Sequence, residues 1–404
     1  MTLFFLMQKI HRRIGMKSNN FKFWILTVVV AISGLSQGLL LPLISIIFEE
    51  HGISSGLNGF HATGIYIGVL IVSPFIEAPL HRFGYKPIII VGGGLVAVAL
   101  LLFPMWFNLY FWFFLRLVIG VGDHMLHFSS QTWIGAMSHP SKRGRNMAIY
   151  GLFFSLGFAI GPQLVNLMAI NVNLPFFISG IMVVIAWTLV WALKNEFVGE
   201  QAVIREISFF GSLKRFSEVF KMAWISMIPP FVYGILETAL NATFPIVGLR
   251  DGIPQAMVVT IISSFSVGTI LFQVPIGILS DRVGRAKVLP IFVGAGAVVF
   301  FVTAFVSNSI VLIGMFFVLG ILLGSMYSLG LSYMTDLTPL ELLPAGNILV
   351  GMSFSLGSII GPSTTGIMIG LFGNDVFYFV ITGLLIAAFL ALFFGNIRKN
   401  SSLA

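Results

Sequence analysis

Apolar residues run almost without interruption along this chain, broken by short polar stretches. The pattern is continuous, not alternating, so it predicts helices and not strands. Twelve runs are long enough to cross a hydrocarbon core as helices: 23–48, 58–80, 87–107, 109–137, 147–169, 174–193, 223–248, 256–279, 288–306, 309–334, 347–371 and 375–395. Most gaps between them are short. The exception is 194–222, with five basic and four acidic residues, which reads as a cytoplasmic linker between two groups of six spans. The expected layout is a segment 1–22, a bundle 23–193, the linker, a bundle 223–395 and a tail 396–404.

The pattern also repeats. "FSLGFAIGP" at 154–162 returns as "FSLGSIIGP" at 354–362, an offset of 200. The same offset pairs Gly34 with Gly234, Gln37 with Glu237, Arg82 with Arg282, Gly84 with Gly284, Gly120 with Gly320, His127 with Tyr327 and Gly151 with Gly351. Each half holds an even number of spans, so both enter the membrane in one direction. A pseudo-twofold axis along the membrane normal is expected.

Composition agrees. Of 404 residues, 57% are hydrophobic and 9% charged, far below the roughly 25% of soluble domains. The absence of cysteine excludes disulfides and thiolate chemistry. A net charge of +8 suggests nucleic acid less than it suggests cytoplasmic loops. With both termini inside, twenty of the 22 Lys and Arg residues fall in cytoplasmic segments, including Lys9, Arg12, Arg13, Lys17, Arg205, Arg398 and Lys399. Arg250 falls outside and Arg116 within a span. The opening "MTLFFLMQKIHRRIGMKSNNFK" places its apolar run before its basic cluster, the reverse of a secretory signal. Met16 offers an alternative start.

Residues 277–287 read "GILSDRVGRAK". Gly277 and Gly284 allow close backbone approach, while Asp281 can accept from Arg282, Arg285 or Lys287, or cap the next helix. The stretch resembles the loop signature of the major facilitator superfamily, and with twelve spans in two halves the resemblance covers nearly the whole chain. It implies an all-α polytopic fold of two pseudo-symmetric six-helix bundles. The closest pattern is that of twelve-helix drug/proton antiporters. The first-half copy, "EAPLHRFGYKP", is degraded, with Glu77, His81 and Tyr85 at altered positions. A pair of Glu77 with Arg82 or Arg145 is the expected substitute latch. "RLVIGVG" from Arg116 resembles the fourth-helix pattern of proton-coupled members. Gly157, Gly161 and Pro162, with Gly357, Gly361 and Pro362, resemble the fifth-helix antiporter pattern. Its trailing glycine pair is lost at Val165 and Asn166 and half-kept at Thr365 and Gly366. The glycines favour close helix packing, and the prolines are expected to bend both helices.

Charges inside a bilayer are costly and mark function by default. Glu237 lies in "VYGILETALNATFP" with Tyr233 and Asn241 four residues to either side. Its partner in the repeat is Gln37, with Ser33 one turn earlier. The resemblance implies that these two face each other across a central cavity. The competing reading pairs Glu237 with Arg116. Arg116, Asp123 and His127 share one helix face within about 20°, with Ser130 nearby. Arg116 and Asp123 are expected either to neutralise each other or to serve transport. His127 is a candidate proton relay, and His124 points elsewhere. Ser325, Tyr327, Ser328, Ser332 and Tyr333 line the tenth span.

The expectation is a proton-coupled exporter of an amphipathic or drug-like solute working by alternating access. Proton coupling falls to Glu237, Asp123, Arg116 and His127. The substrate cavity falls to Ser33, Gln37, Ser130, Tyr233, Asn241 and Tyr327. A nutrient importer and a flippase for a lipid-linked sugar remain open, with a membrane enzyme or a receptor more remote. No nucleotide-binding motif, cofactor or metal site is expected, and no catalytic group. The expected partners are a small molecule, protons and the bilayer of the cell membrane, for a monomer that binds no nucleic acid.

Overall fold

The computed structural model describes the backbone of residues 2–197 and 209–403, and the side chains of 19–139, 142–197, 214–339 and 341–395. Lys9, Arg12, Arg13, Met16, Lys17, Arg205, Arg398 and Lys399 lie outside the described side chains, and the middle of the linker lies outside the described backbone.

Among the described residues, twelve helices are long and apolar enough to cross a membrane. They are α1 (Asn19–Glu50), α2 (Ser55–Val72), α3 (Tyr85–Met105), α4 (Leu109–Met137), α5 (Lys142–Ala169), α6 (Leu174–Trp191), α7 (Lys214–Arg250), α8 (Gln255–Val283), α9 (Arg285–Thr303), α10 (Ser309–Leu337), α11 (Leu343–Phe372) and α12 (Val376–Gly395). The packing obeys the repeat. α1 lies on α5 as α7 lies on α11, α2 on α4 as α8 on α10, and α3 on α6 as α9 on α12. The halves join through α2 on α11 and α5 on α8.

The duplicated glycine stretch sits where α5 crosses α1 and α11 crosses α7. A Cβ at Gly157 would lie 1.9 Å from the Ala31 carbonyl oxygen, and one at Gly357 2.0 Å from that of Phe231. Only glycine admits this approach of two backbones. The prolines behave differently from one another. After Ile160, α5 tightens into a 3-10 helix over Gly161–Ala169, while α11 stays α-helical through Pro362. The difference follows the neighbours. In α5, Gln163 donates to Ser263 at 3.0 Å and Gln255 donates to the Val165 carbonyl at 3.2 Å, so α8 takes polar groups from the tightened turn. In α11, the Thr365 hydroxyl donates back to the Gly361 carbonyl at 2.8 Å.

Bonds between the halves gather at the end away from the linker. Ser45 donates to the Ala242 carbonyl at 2.5 Å, and within the first half Asn58 holds Ser45 in place by donating to its carbonyl at 2.9 Å. Arg250 grips Glu49 with two bonds of 2.6 and 3.0 Å. Gly59 lies so close to α11 that a Cβ there would meet the Pro362 carbonyl oxygen at 2.0 Å. This end is shut. Side chains facing the molecular axis nearer the linker, among them Gln37, His127, Glu237 and Tyr327, keep partial exposure.

At the linker end the two loops between second and third helices differ. In the second half Arg285 pairs with Asp281 at 2.5 Å and with Asp336 of α10. Asp281 therefore serves the arginine; Gly284 occupies the cap of α9 and makes no side-chain bond. In the first half no ion pair joins Glu77 to Arg82 or Arg145 among the described residues, so the expected substitute latch is absent. Arg82 instead sits over Phe83 at 5.2 Å. Tyr85, the twin of Arg285, stacks on Trp133 at 5.5 Å and 9°. Glu196 completes the junction, accepting from Trp133 Nε1 at 2.6 Å and pairing with Lys22.

Candidate functional site

Two polar groups lie on the axis, one in each half. The first is a network. Ser33 of α1 donates to Asp123 Oδ1 at 2.7 Å and meets His127 Nε2 at 3.1 Å. Gln37, one turn on, reaches Ser33 and His127 Nε2, both at 3.4 Å. On the other side of the imidazole, Tyr150 OH lies 3.2 Å from Nδ1 and 2.8 Å from the Ser130 hydroxyl. Ser130 in turn donates to the Leu126 carbonyl at 2.7 Å. Asp123 is 3% exposed, and its second oxygen, Oδ2, has no partner.

The second group is a carboxylate among rings. Tyr233 donates to Glu237 Oε1 at 3.3 Å. Asn241 donates not to the carboxylate but to the Glu237 backbone carbonyl, at 2.8 Å. Phe354 of α11 gathers three tyrosines: Tyr327 at 5.5 Å, Tyr233 at 6.0 Å and, from the opposite half, Tyr66 at 6.1 Å. Tyr66 and Tyr327 both lie within electrostatic reach of Glu237.

The structure separates some residues that the sequence groups together. Arg116 and Asp123 do not pair, and neither do Arg116 and Glu237. Sharing a face leaves Arg116 and Asp123 about 10 Å apart along the axis, at ~1.5 Å per residue. Arg116 is 1% exposed; one amine reaches the Leu40 carbonyl at 3.4 Å, and Nε and the other amine have no partner. Gln37 turns its amide into its own half, with no bond to Glu237. His124 faces away, with Ser73 at 3.2 Å and Phe128 stacked beside it. Ser130 serves Tyr150 and is fully buried. Ser325 and Tyr333 are also buried, while Ser328 and Ser332 are partly exposed.

Three residues escaped the sequence reading. Tyr150 has Val350 as its twin, so the repeat gives no hint of it. Tyr66 carries no charge, and its one ionisable neighbour in α2, His61, bonds elsewhere, to the Leu109 carbonyl. Phe354 did carry a signal: it opens the repeated "FSLG" stretch, and its twin Phe154 packs edge-on against His127 at 4.9 Å and 89°, as Phe354 does against Tyr327 at 82°.

Comparison with known proteins places this architecture. The family model for the Major Facilitator Superfamily matches residues 26–254 and 227–403. "Uncharacterized MFS-type transporter YfkF" of Bacillus subtilis is 48% identical over 383 residues, covering 95% of this chain and 97% of that relative. "Multidrug resistance protein 2" of Bacillus subtilis is 26% identical over 92% of this chain and 94% of its own length. The crystal structure of a point mutant of the nucleoside transporter NupG superposes with a TM-score of 0.79 at 14% identity, over 92% of this chain and 98% of that one. An inward-facing bacterial homolog of the human lysosomal transporter Spinster gives 0.77 at 12% identity, over 94% and 97%. These two likenesses speak for the fold alone. The chain is a multi-pass membrane protein and belongs to the major facilitator superfamily of transporters.

Proposed function

We propose that the protein is a secondary active transporter that exports a small amphipathic solute in exchange for protons. The bodies that move are the bundles 23–193 and 223–395, rocking about the cavity between them. The linker end faces the cytoplasm of the cell in this reading, which the distribution of Lys and Arg supports. The shut end then faces outward, and the cavity is open to the cytoplasm.

The observation that carries this reading is Glu237. Glu237 is partly exposed at mid-span, bonded to one phenol and within electrostatic reach of Tyr66 and Tyr327, which pack with Phe354. A carboxylate so placed can exchange a proton with the cavity, and the rings offer an apolar surface to a solute. Aromatic faces beside a carboxylate also favour a solute that carries positive charge. Arg116 and Asp123 supply further ionisable groups in the other half. The name of the 26% identical relative points the same way.

The test is transport in proteoliposomes under an imposed pH gradient, across a panel of amphipathic dyes. Gradient-driven accumulation is expected, and Glu237→Gln is expected to abolish it. Accumulation that ignores the gradient, with Glu237→Gln equal to wild type, overturns the proposal.

A further inference from the structure

The first-half network has a direction. Ser130 spends its proton on the Leu126 carbonyl, so its oxygen is left to accept from Tyr150. Tyr150 then has only its oxygen to offer His127 Nδ1, at 3.2 Å. A neutral imidazole must therefore carry its proton on Nδ1, which leaves the Nε2 lone pair facing Ser33 and Gln37. Ser33 stands between that lone pair, at 3.1 Å, and Asp123 Oδ1, at 2.7 Å. A hydroxyl has one proton and can serve only one of them at a time.

We infer that Ser33 is a proton switch between His127 and Asp123, with Tyr150 and Ser130 as positioning residues that hold His127 in its Nδ1–H form. The inference deepens the proton-coupled reading and rests on it for its role in transport. It also moves Ser33 and Ser130 from the substrate cavity to the proton path.

The transfer balances. A proton enters from the cavity at His127 Nε2, since His127 is a partly exposed residue and Asp123 is buried. The imidazolium passes its Nε2 proton to the Ser33 oxygen as Ser33 hands its own proton to Asp123 Oδ1. A positive ring and a negative carboxylate become a neutral ring and a carboxylic acid. Afterwards Asp123 donates to Ser33, and Ser33 donates to Nε2. Release follows the same steps backward. Asp123 Oδ2 makes no hydrogen bond, with the Gln37 amide nearby as the one further donor that acts on the carboxyl, and this incomplete solvation fits a carboxyl that alternates between two forms.

The surroundings are otherwise quiet. The titratable groups within electrostatic reach of Asp123 or His127 are His124 on α4, which faces away, Tyr66 on α2 and Tyr150 on α5. Arg116 lies farther along α4. A small cavity beside Asp123 is walled by α3 and α6 with Ile89, Gly93, Val96, Val183 and Trp187, none of them ionisable.

The test reads the ring directly, without a substrate. Nitrogen-15 NMR of the full chain, histidine-labelled and assigned with His127→Gln, should show the Nδ1–H tautomer. Tyr150→Phe keeps the ring and removes the hydroxyl, and should shift His127 toward a mixture with Nε2–H. Asp123→Asn imitates the neutral acid and should move the Nε2 resonance upfield as Ser33 turns to donate. Adding Ser33→Ala should erase that move, and Ser33→Thr should restore it. An Nε2–H wild type overturns the inference, as does a resonance indifferent to Tyr150→Phe or Ser33. None of these readings changes if transport proves independent of protons, so the two proposals fail separately.

Discussion

The two halves share a scaffold and differ in chemistry. Where the first half places Ser33, Gln37, Asp123, His127 and Tyr150, the second places Tyr233, Glu237, Leu323, Tyr327 and Val350. The glycines that let backbones touch are kept, and so are Phe154 and Phe354. Over them the first half builds a closed chain of hydrogen bonds around a buried acid. The second leaves its acid, Glu237, partly exposed and sets it among rings. The duplication fixed where side chains point, and divergence then decided what they do there. On the proposed reading, the first half relays a proton through its network, and the second sets a proton-exchanging carboxylate beside the rings that hold the solute.

That division can be broken by substitution. The largest effect is expected at Glu237→Gln, which gives the second half the residue of its twin: gradient-driven accumulation in proteoliposomes should fall at least ~100-fold, about 3 kcal/mol at ~1.4 kcal/mol per tenfold. Asp123→Asn should spare solute exchange between equal pools while reducing gradient-driven accumulation about tenfold. Equal losses in both assays would erase the distinction between the halves. Phe354→Ala should raise KM roughly 2- to 10-fold, the worth of one aromatic contact, with Phe154→Ala raising it less. The smallest effect belongs to the latches. Asp336→Asn removes an exposed ion pair worth about 0–1 kcal/mol and should barely move the melting temperature. Glu196→Gln, at the aromatic junction of the first half, should lower it more, because Trp133 is wholly buried and loses a charged acceptor.

The spans, the repeat and the superfamily were legible because each is a one-dimensional signal: run length, offset and loop spelling. The site was legible in part. Periodicity places Arg116, Asp123 and His127 on one face, but it says nothing of distance along the axis, so the Arg116–Asp123 pair was a natural error. The Glu77 pairing failed for a different reason. The first-half loop has lost the charge at position 85, and the Tyr85–Trp133 stack fills that place with rings in its stead. Tyr150 was invisible because its place in the network depends on how α5 crosses α4, which no local pattern encodes.

The contact between Gly59 and the Pro362 carbonyl has a consequence for the cell's energy economy. If the protein draws on a proton gradient, as proposed, it is also a potential short circuit across the same membrane. A bare Cα against a backbone carbonyl closes the seam at backbone distance and leaves no room there for water. The shut end is thus an insulator as well as a door. A single methyl group at position 59, meeting that carbonyl oxygen at 2.0 Å, would hold it ajar.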